Sequence, residues 1–232
     1  MKTRYLSLLA VLIVCLFSIY YFNNQSKQPI RKGYFPCSTS KDRKFTVDKV
    51  DKFEYSWYSK ALIALKEPSL YELSNNKKNR VYRFLYIRSF HPPISFRLEI
   101  NKDNSGVLYV KQCGRSQSID YGELVINKKK QIKREEVVKF LWKANLGFFW
   151  YLPSKLPLMG LDGSQWIVEG VEHGKYHFVD RWSPESGTTK SLGLFLLNLS
   201  DLEIDEKDID EKDINGAMCA YFIRTGHFIW NY

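Results

Sequence analysis

The segment Leu161 to Pro184, LDGSQWIVEGVEHGKYHFVDRWSP, constrains the fold more than any other stretch. Asp162-Gly163 is a turn signal, Gln165 to Val171 an extended run, His173-Gly174 a tight turn, and Lys175 to Trp182 a return strand. A hairpin of this kind needs further strands to be stable, so the rest of the chain is expected to supply a sheet. If His173 and Gly174 alone form the loop, Trp166 lies opposite Arg181 and Val168 opposite Val179. Glu169, Tyr176, Phe178 and Asp180 then project to the other side, and Trp166 with Arg181 is placed for a cation–π contact. A three-residue loop shifts the register by one and puts Glu169 on the same face as Arg181. Both registers are compatible with these residues.

The hairpin holds groups suited to three chemistries. As a metal site, His173 and His177 with Glu169, Glu172 or Asp162 supply ligand atoms. The two histidines straddle a turn, however, and do not share one helical face, so no metal is expected. As a hydrolase site, Asp162, Glu169, His177 and Arg181 form the neighbourhood. Ser164 and Ser183 lack the G-x-S-x-G setting and no nucleophile has an assignable base, so no catalytic residue is expected. As a binding surface, Trp166, Tyr176, Arg181 and Trp182 are residue types that dominate interfaces. Against all three stands a plainer reading, in which the aromatics close a core while Asp162, Glu169 and Arg181 satisfy turns and one another. The candidate binding residues are Asp162, Trp166, Glu169, Tyr176 and Arg181, with no cofactor.

Upstream, Val81 to Phe90 and Ile94 to Ile100 read as strands separated by His91-Pro92-Pro93. In the second, Ile94, Phe96, Leu98 and Ile100 alternate with Ser95, Arg97 and Glu99, which predicts one buried and one wet face of an antiparallel sheet. Asn101 to Gly106 supplies a turn, Val107 to Gln112 the partner strand, and Tyr121 to Asn127 a further strand. Lys128-Lys129-Lys130 then reads as a solvated turn. Helical spacing predicts helices from about Glu54 to Lys66, stopped by Pro68, and from Arg134 to Leu146, stopped by Gly147. A third helix carries Leu192, Phe195, Leu196 and Leu199, with Thr188 or Thr189 as its cap. Phe148 to Leu158 reads as an irregular link. The fold class expected is α+β: a mainly antiparallel sheet of about six strands with helices packed on it, preceded by one N-terminal transmembrane helix.

That helix is Tyr5 to Phe22, an uncharged, mostly apolar run of 18 residues behind Lys2 and Arg4. At 1.5 Å per residue it spans a hydrocarbon core of about 30 Å. Bulky Ile19-Tyr20-Tyr21-Phe22 occupies the place of a small-residue cleavage site, favouring an uncleaved signal anchor over a secreted, cleaved form. Residues 1–32 are then anchor and juxtamembrane linker, 33–202 the α+β domain, and 203–232 a tail. The tail contains DEKDI twice, ending in an apolar stretch from Ala217. Basic residues flank both ends of the anchor, so counting charges alone leans towards a cytoplasmic domain. Large C-terminal domains cross largely regardless of charge, and the expectation is N-terminus in the cytoplasm and domain in the periplasm.

The net charge is +10, and setting aside Lys2 and Arg4 leaves 33 basic against 25 acidic residues, or +8. No element gathers Lys and Arg on one face, so no nucleic acid is expected as a partner; a basic body near anionic lipid accounts for the excess. Cys37, Cys113 and Cys219 lie beyond the anchor, an odd number that allows at most one disulfide.

The spaced set Asp162-Gly163, Trp166, Glu169-Gly170, Gly174, Tyr176 and Arg181-Trp182-Ser183-Pro184, with Leu65 to Leu70 (LKEPSL) upstream, resembles an uncharacterised family of bacterial secreted or envelope proteins. The resemblance covers roughly Phe53 to Asp201 and implies export and a bacterial source. It brings no activity, cofactor or catalytic residue. The function expected is a membrane-anchored extracytoplasmic binding or interaction module without catalysis, with an envelope protein as a possible partner. An envelope hydrolase using the hairpin carboxylates, or an immunity or inhibitor protein, are the alternatives.

Overall fold

The computed structural model describes residues 31–38, 48–116, 120–156 and 163–202, with the backbone of 158–160, 221–223 and 227–229. Strands β1 (Arg80–Arg88), β2 (Ile94–Ile100), β3 (Gly106–Cys113) and β4 (Leu124–Ile132) form an antiparallel meander. After β5 (Leu158–Gly160), the hairpin β6 (Ser164–Glu172) and β7 (Lys175–Trp182) adds to the free side of β1. The resulting six-stranded sheet has the order β4-β3-β2-β1-β6-β7. A second, three-stranded sheet pairs β5 with β8 (Tyr221–Ile223) and β8 with β9 (His227–Ile229).

The hairpin closes through the two-residue loop. His173 and Gly174 both take positive φ, 52° and 77°, as a two-residue hairpin loop twisted to match its strands requires. Trp166 therefore pairs with Arg181 and Val168 with Val179. The expected cation–π contact is replaced. The Arg181 guanidinium donates to the carbonyls of Pro153, Ser154 and Asp180, while Trp166 packs on Phe84 and Tyr86 at 4.8 and 5.0 Å between ring centroids.

Helices cover both faces of the large sheet, which makes the alternation less informative than it looked. Helices α3 (Arg134–Leu146) and α4 (Thr188–Leu199) lie on the face of Tyr82, Phe84, Phe96, Leu98, Leu108 and Trp166. Helix α1 (Lys52–Ala64) covers the opposite face, burying Tyr58, Ala61 and Leu62 against Leu85, Ile87, Ile167 and Phe178. It starts with a capping box, Asp51 accepting from the Glu54 amide and Glu54 from the Asp51 amide. Helix α2 is the single turn Leu70–Leu73. With α1 and its following loop overhead, Ser95 and Arg97 are buried rather than wet. A chain that needs two covered faces hides its polar positions as well as its apolar ones.

Three further expectations change. Lys128 to Lys130 continue β4 instead of turning, because β3 presents backbone partners as far as Gly106, opposite Ile132. As an edge strand, β4 carries these lysines in water at little cost. The helix expected to be capped by Thr188 or Thr189 begins at Thr188 with Gly187 in the N-cap position, while the Thr188 hydroxyl donates to the Gly147 carbonyl. The aromatic link contains a 3₁₀ turn, Phe149–Tyr151, whose Phe149 packs on Tyr82.

The run 5–22, the repeat within 205–214 and Cys219 lie outside the described residues. Among those described, no helix is long and apolar enough to cross a membrane. The chain divides at Arg31, with Lys32–Tyr232 forming a compact unit. Cys37 and Cys113 are free thiols.

Helix α4 meets the sheet at Gly193. A Cβ there would stand 2.8 Å from the Trp166 ring and 3.1 Å from Phe84. Gly193→Val is expected to lower the unfolding free energy by about 1–3 kcal/mol through overpacking, as read from the denaturant midpoint.

Candidate functional site

The two-residue loop separates the hairpin candidates. Trp166 and Arg181 share one face of the sheet, Glu169 and Tyr176 the other. Asp162 lies outside the described residues; its neighbour Gly163 exchanges hydrogen bonds with Ser89 at the end of β1. Trp166 is sealed in the core, its indole donating to Ser164 Oγ at 2.9 Å. His177 lies on the Arg181 face against Phe149 and Trp150, and burial pushes it towards the neutral form. Of the hydrolase neighbourhood, Glu169 is thus separated by the sheet from His177 and Arg181. Among the described residues no cluster suited to a metal ion occurs.

Glu169 and Tyr176 do come together, as part of a larger structure absent from the expectations. Arg83 of β1 lies opposite both Glu169 of β6 and Arg97 of β2. Its guanidinium binds Glu169 through Nε at 2.7 Å and Nη2 at 2.5 Å, and the Tyr176 hydroxyl donates to the same carboxylate at 3.0 Å. Glu67, from the loop after α1, descends onto this row: Arg97 Nε lies 2.8 Å from its carboxylate, Lys111 Nζ 3.0 Å and Arg83 Nη1 3.6 Å. The same cations clamp the loop backbone. Lys111 donates to the Lys66 carbonyl at 2.6 Å and Arg83 to the Pro68 carbonyl at 2.7 Å. Glu99 completes the charge balance by pairing with Arg97, which also stacks 4.1 Å from the Tyr109 ring centroid.

Arg83, Glu67 and Glu169 side chains have no solvent exposure. Burial alone would lower the Arg83 pKa, but Glu169 and Glu67 outweigh it and hold the guanidinium charged. Burial pushes the Glu169 carboxyl up, against the pull of Arg83. A carboxylate enclosed by an arginine and a tyrosine hydroxyl has no open side from which to reach a substrate. One sequence signal did point here: Glu67 is the acidic residue within LKEPSL, and Arg83 and Arg97 sit mid-strand where an apolar residue is the usual choice.

A second buried group lies under α1. The Tyr58 hydroxyl donates to Asp180 Oδ2 at 2.8 Å and Gln165 to Oδ1, while Lys155 pairs with Glu54. Burial raises Asp180 to about 6 despite the two hydrogen bonds that oppose it.

Open space lies elsewhere. A cavity of about 380 Å³ is formed where the β1–β2 loop, the β3–β4 loop and α1 meet, lined by Trp57, Phe90, His91, Arg115 and Tyr121 among others. Its size suits a small ligand or a protruding side chain. Arg88 stands at its wall, donating to the Pro92 carbonyl at 3.2 Å with its guanidinium 5.4 Å from the Tyr86 ring centroid. The residues of this place come from three segments distant in sequence, and only Phe90-His91-Pro92, an aromatic and a histidine in a proline turn, marks it in the chain.

Two outcomes follow. Glu67→Gln leaves Arg97 and Lys111 buried without their carboxylate and is expected to destabilise the fold by about 3–5 kcal/mol in chemical denaturation. For Asp180, the folded pKa of about 6 exceeds the unfolded value, so its contribution is fully present below about pH 4 and is lost as pH rises through about 6. Between pH 7 and pH 5 the wild type should therefore gain about 1 kcal/mol over Asp180→Asn in unfolding free energy.

Compared with known proteins, the chain matches no family model and no curated protein.

Proposed function

We propose that the chain is a binding module without catalysis, anchored in the membrane by residues 5–22 with Lys32–Tyr232 on the extracytoplasmic side. Its ligand, or a loop of an envelope protein partner, is taken up in the cavity beside Phe90. The observation that carries the reading is the engagement of Glu169, Tyr176 and Arg181 within the fold: each is held by Arg83, by Glu169 or by three backbone carbonyls. The apolar run behind Lys2 and Arg4, and the resemblance to bacterial envelope proteins, support the location.

The test is a purified full chain offered ester, phosphoester, glycoside and peptide substrates, with and without divalent ions. No saturable turnover dependent on Glu169 is expected; turnover abolished by Glu169→Gln would return the hydrolase to first place. For orientation, a reporter active only outside the cytoplasm and fused after Tyr232 should be active. Silence with normal expression would reverse the topology.

A further inference from the structure

Helix α3 is apolar on two sides. Val137, Phe140 and Ala144 face the sheet and are buried. Val138, Trp142 and Leu146 fall at i, i+4 and i+8 on the outer side and are 46%, 63% and 57% exposed. The chain then presents Phe148 at 67% and Tyr151 at 86% exposure. Phe148 adopts φ 50°, the left-handed region. A non-glycine residue there costs about 1 kcal/mol or more, so neither core packing nor backbone geometry accounts for an exposed phenylalanine at this position. A scattered exposed leucine needs no explanation, whereas five large apolar residues along one helix and its exit turn mark an interaction surface.

The chemistry of the surroundings selects the partner. Lys143, one residue beyond Trp142, flanks the stripe, as does Lys139, which is ion-paired with Glu136 at 2.8 Å; Lys133 and Arg134 stand beside Glu135 where the helix starts. Lysine is depleted from the centres of protein interfaces, but beside an apolar stripe it extends along the surface to reach anionic headgroups. Tryptophan and tyrosine are the residues enriched at the membrane–water boundary. The body as a whole is basic. We propose that the outer face of α3, with Phe148 and Tyr151, seats on an anionic lipid bilayer, the rings entering the headgroup layer and Lys143 neutralising headgroup phosphate. The proposal draws on the tethered reading for a nearby membrane, but the surface is defined by α3 and its exit turn alone.

The full chain is incorporated into, or mixed with, vesicles of phosphatidylcholine with and without phosphatidylglycerol, all with brominated acyl chains. The quenching owed to Trp142 is read as the difference between wild type and Trp142→Phe. Quenching in the anionic vesicles, reduced about threefold or more by Lys143→Glu or by high salt, is the expected result. Trp142 emission indifferent to both lipids overturns the proposal. A dimer in uncharged detergent that Trp142→Glu converts to monomer would assign the surface to a second copy and also overturn it. All three variants are at exposed positions, and circular dichroism checks their folding. Release of the wild type by an alkaline carbonate wash would sink the anchor without touching this surface, since Trp142 quenching in anionic vesicles is scored separately.

Discussion

Glu67 is the charge on which the second layer of this protein rests. Two arginines and a lysine project from three adjacent strands onto the face of the sheet that α1 covers, where Ser95, Glu169 and Asp180 are buried as well. Glu169 and Glu99 each answer one arginine, but without Glu67 among the three cations Lys111 is left uncompensated and the face would hold water beneath the helix. The loop Lys66–Pro68 provides that anion together with two carbonyls. In doing so it fixes where α1 ends and where α2 begins. Lys66 itself takes φ 50° to make the turn. The cost of that conformation is offset by the ion pairs it makes possible.

Such a network contributes less net stability than its many short contacts suggest, since each ion has given up its hydration. Its effect is on specificity. An apolar sheet face would accept α1 in several positions, whereas Arg83, Arg97 and Lys111 accept Glu67 in one. Asp180 acts similarly beneath the middle of α1, where the Tyr58 hydroxyl and Gln165 both require an acceptor at that point. Together the two polar anchors fix the helix both along and across the sheet.

Much of this architecture was legible in the chain. The turn at His173-Gly174, the span of α3 and the return strand Lys175–Trp182 follow from local rules of turn chemistry and helical period. What was not legible depends on partners distant in sequence. Arg97 and Ser95 looked solvent-facing because alternation reports a difference between faces and not how each is covered. Lys128 to Lys130 looked like a turn because β4 owes its length to β3 rather than to its own propensity. The candidate site divided in the same way. The hairpin residues were found because they are consecutive, but their roles were set by Arg83, which is 86 residues from Glu169 along the chain.

The lysines of β4 have a consequence for self-association. That strand leaves a nine-residue edge at one margin of the large sheet, the geometry through which sheets of separate molecules join end to end. Lys128, Lys129 and Lys130 are exposed along it, and although Lys130 pairs with Asp201, an approaching copy of the same strand meets the like charges of Lys128 and Lys129 before it can form a ladder. If the chain is confined to a bilayer, collisions between copies take place in two dimensions and at high local density. The edge that a dilute globular protein could leave unguarded then becomes the one most in need of repulsion, and replacing these lysines would favour sheet-to-sheet fusion over any change in the fold of a single molecule.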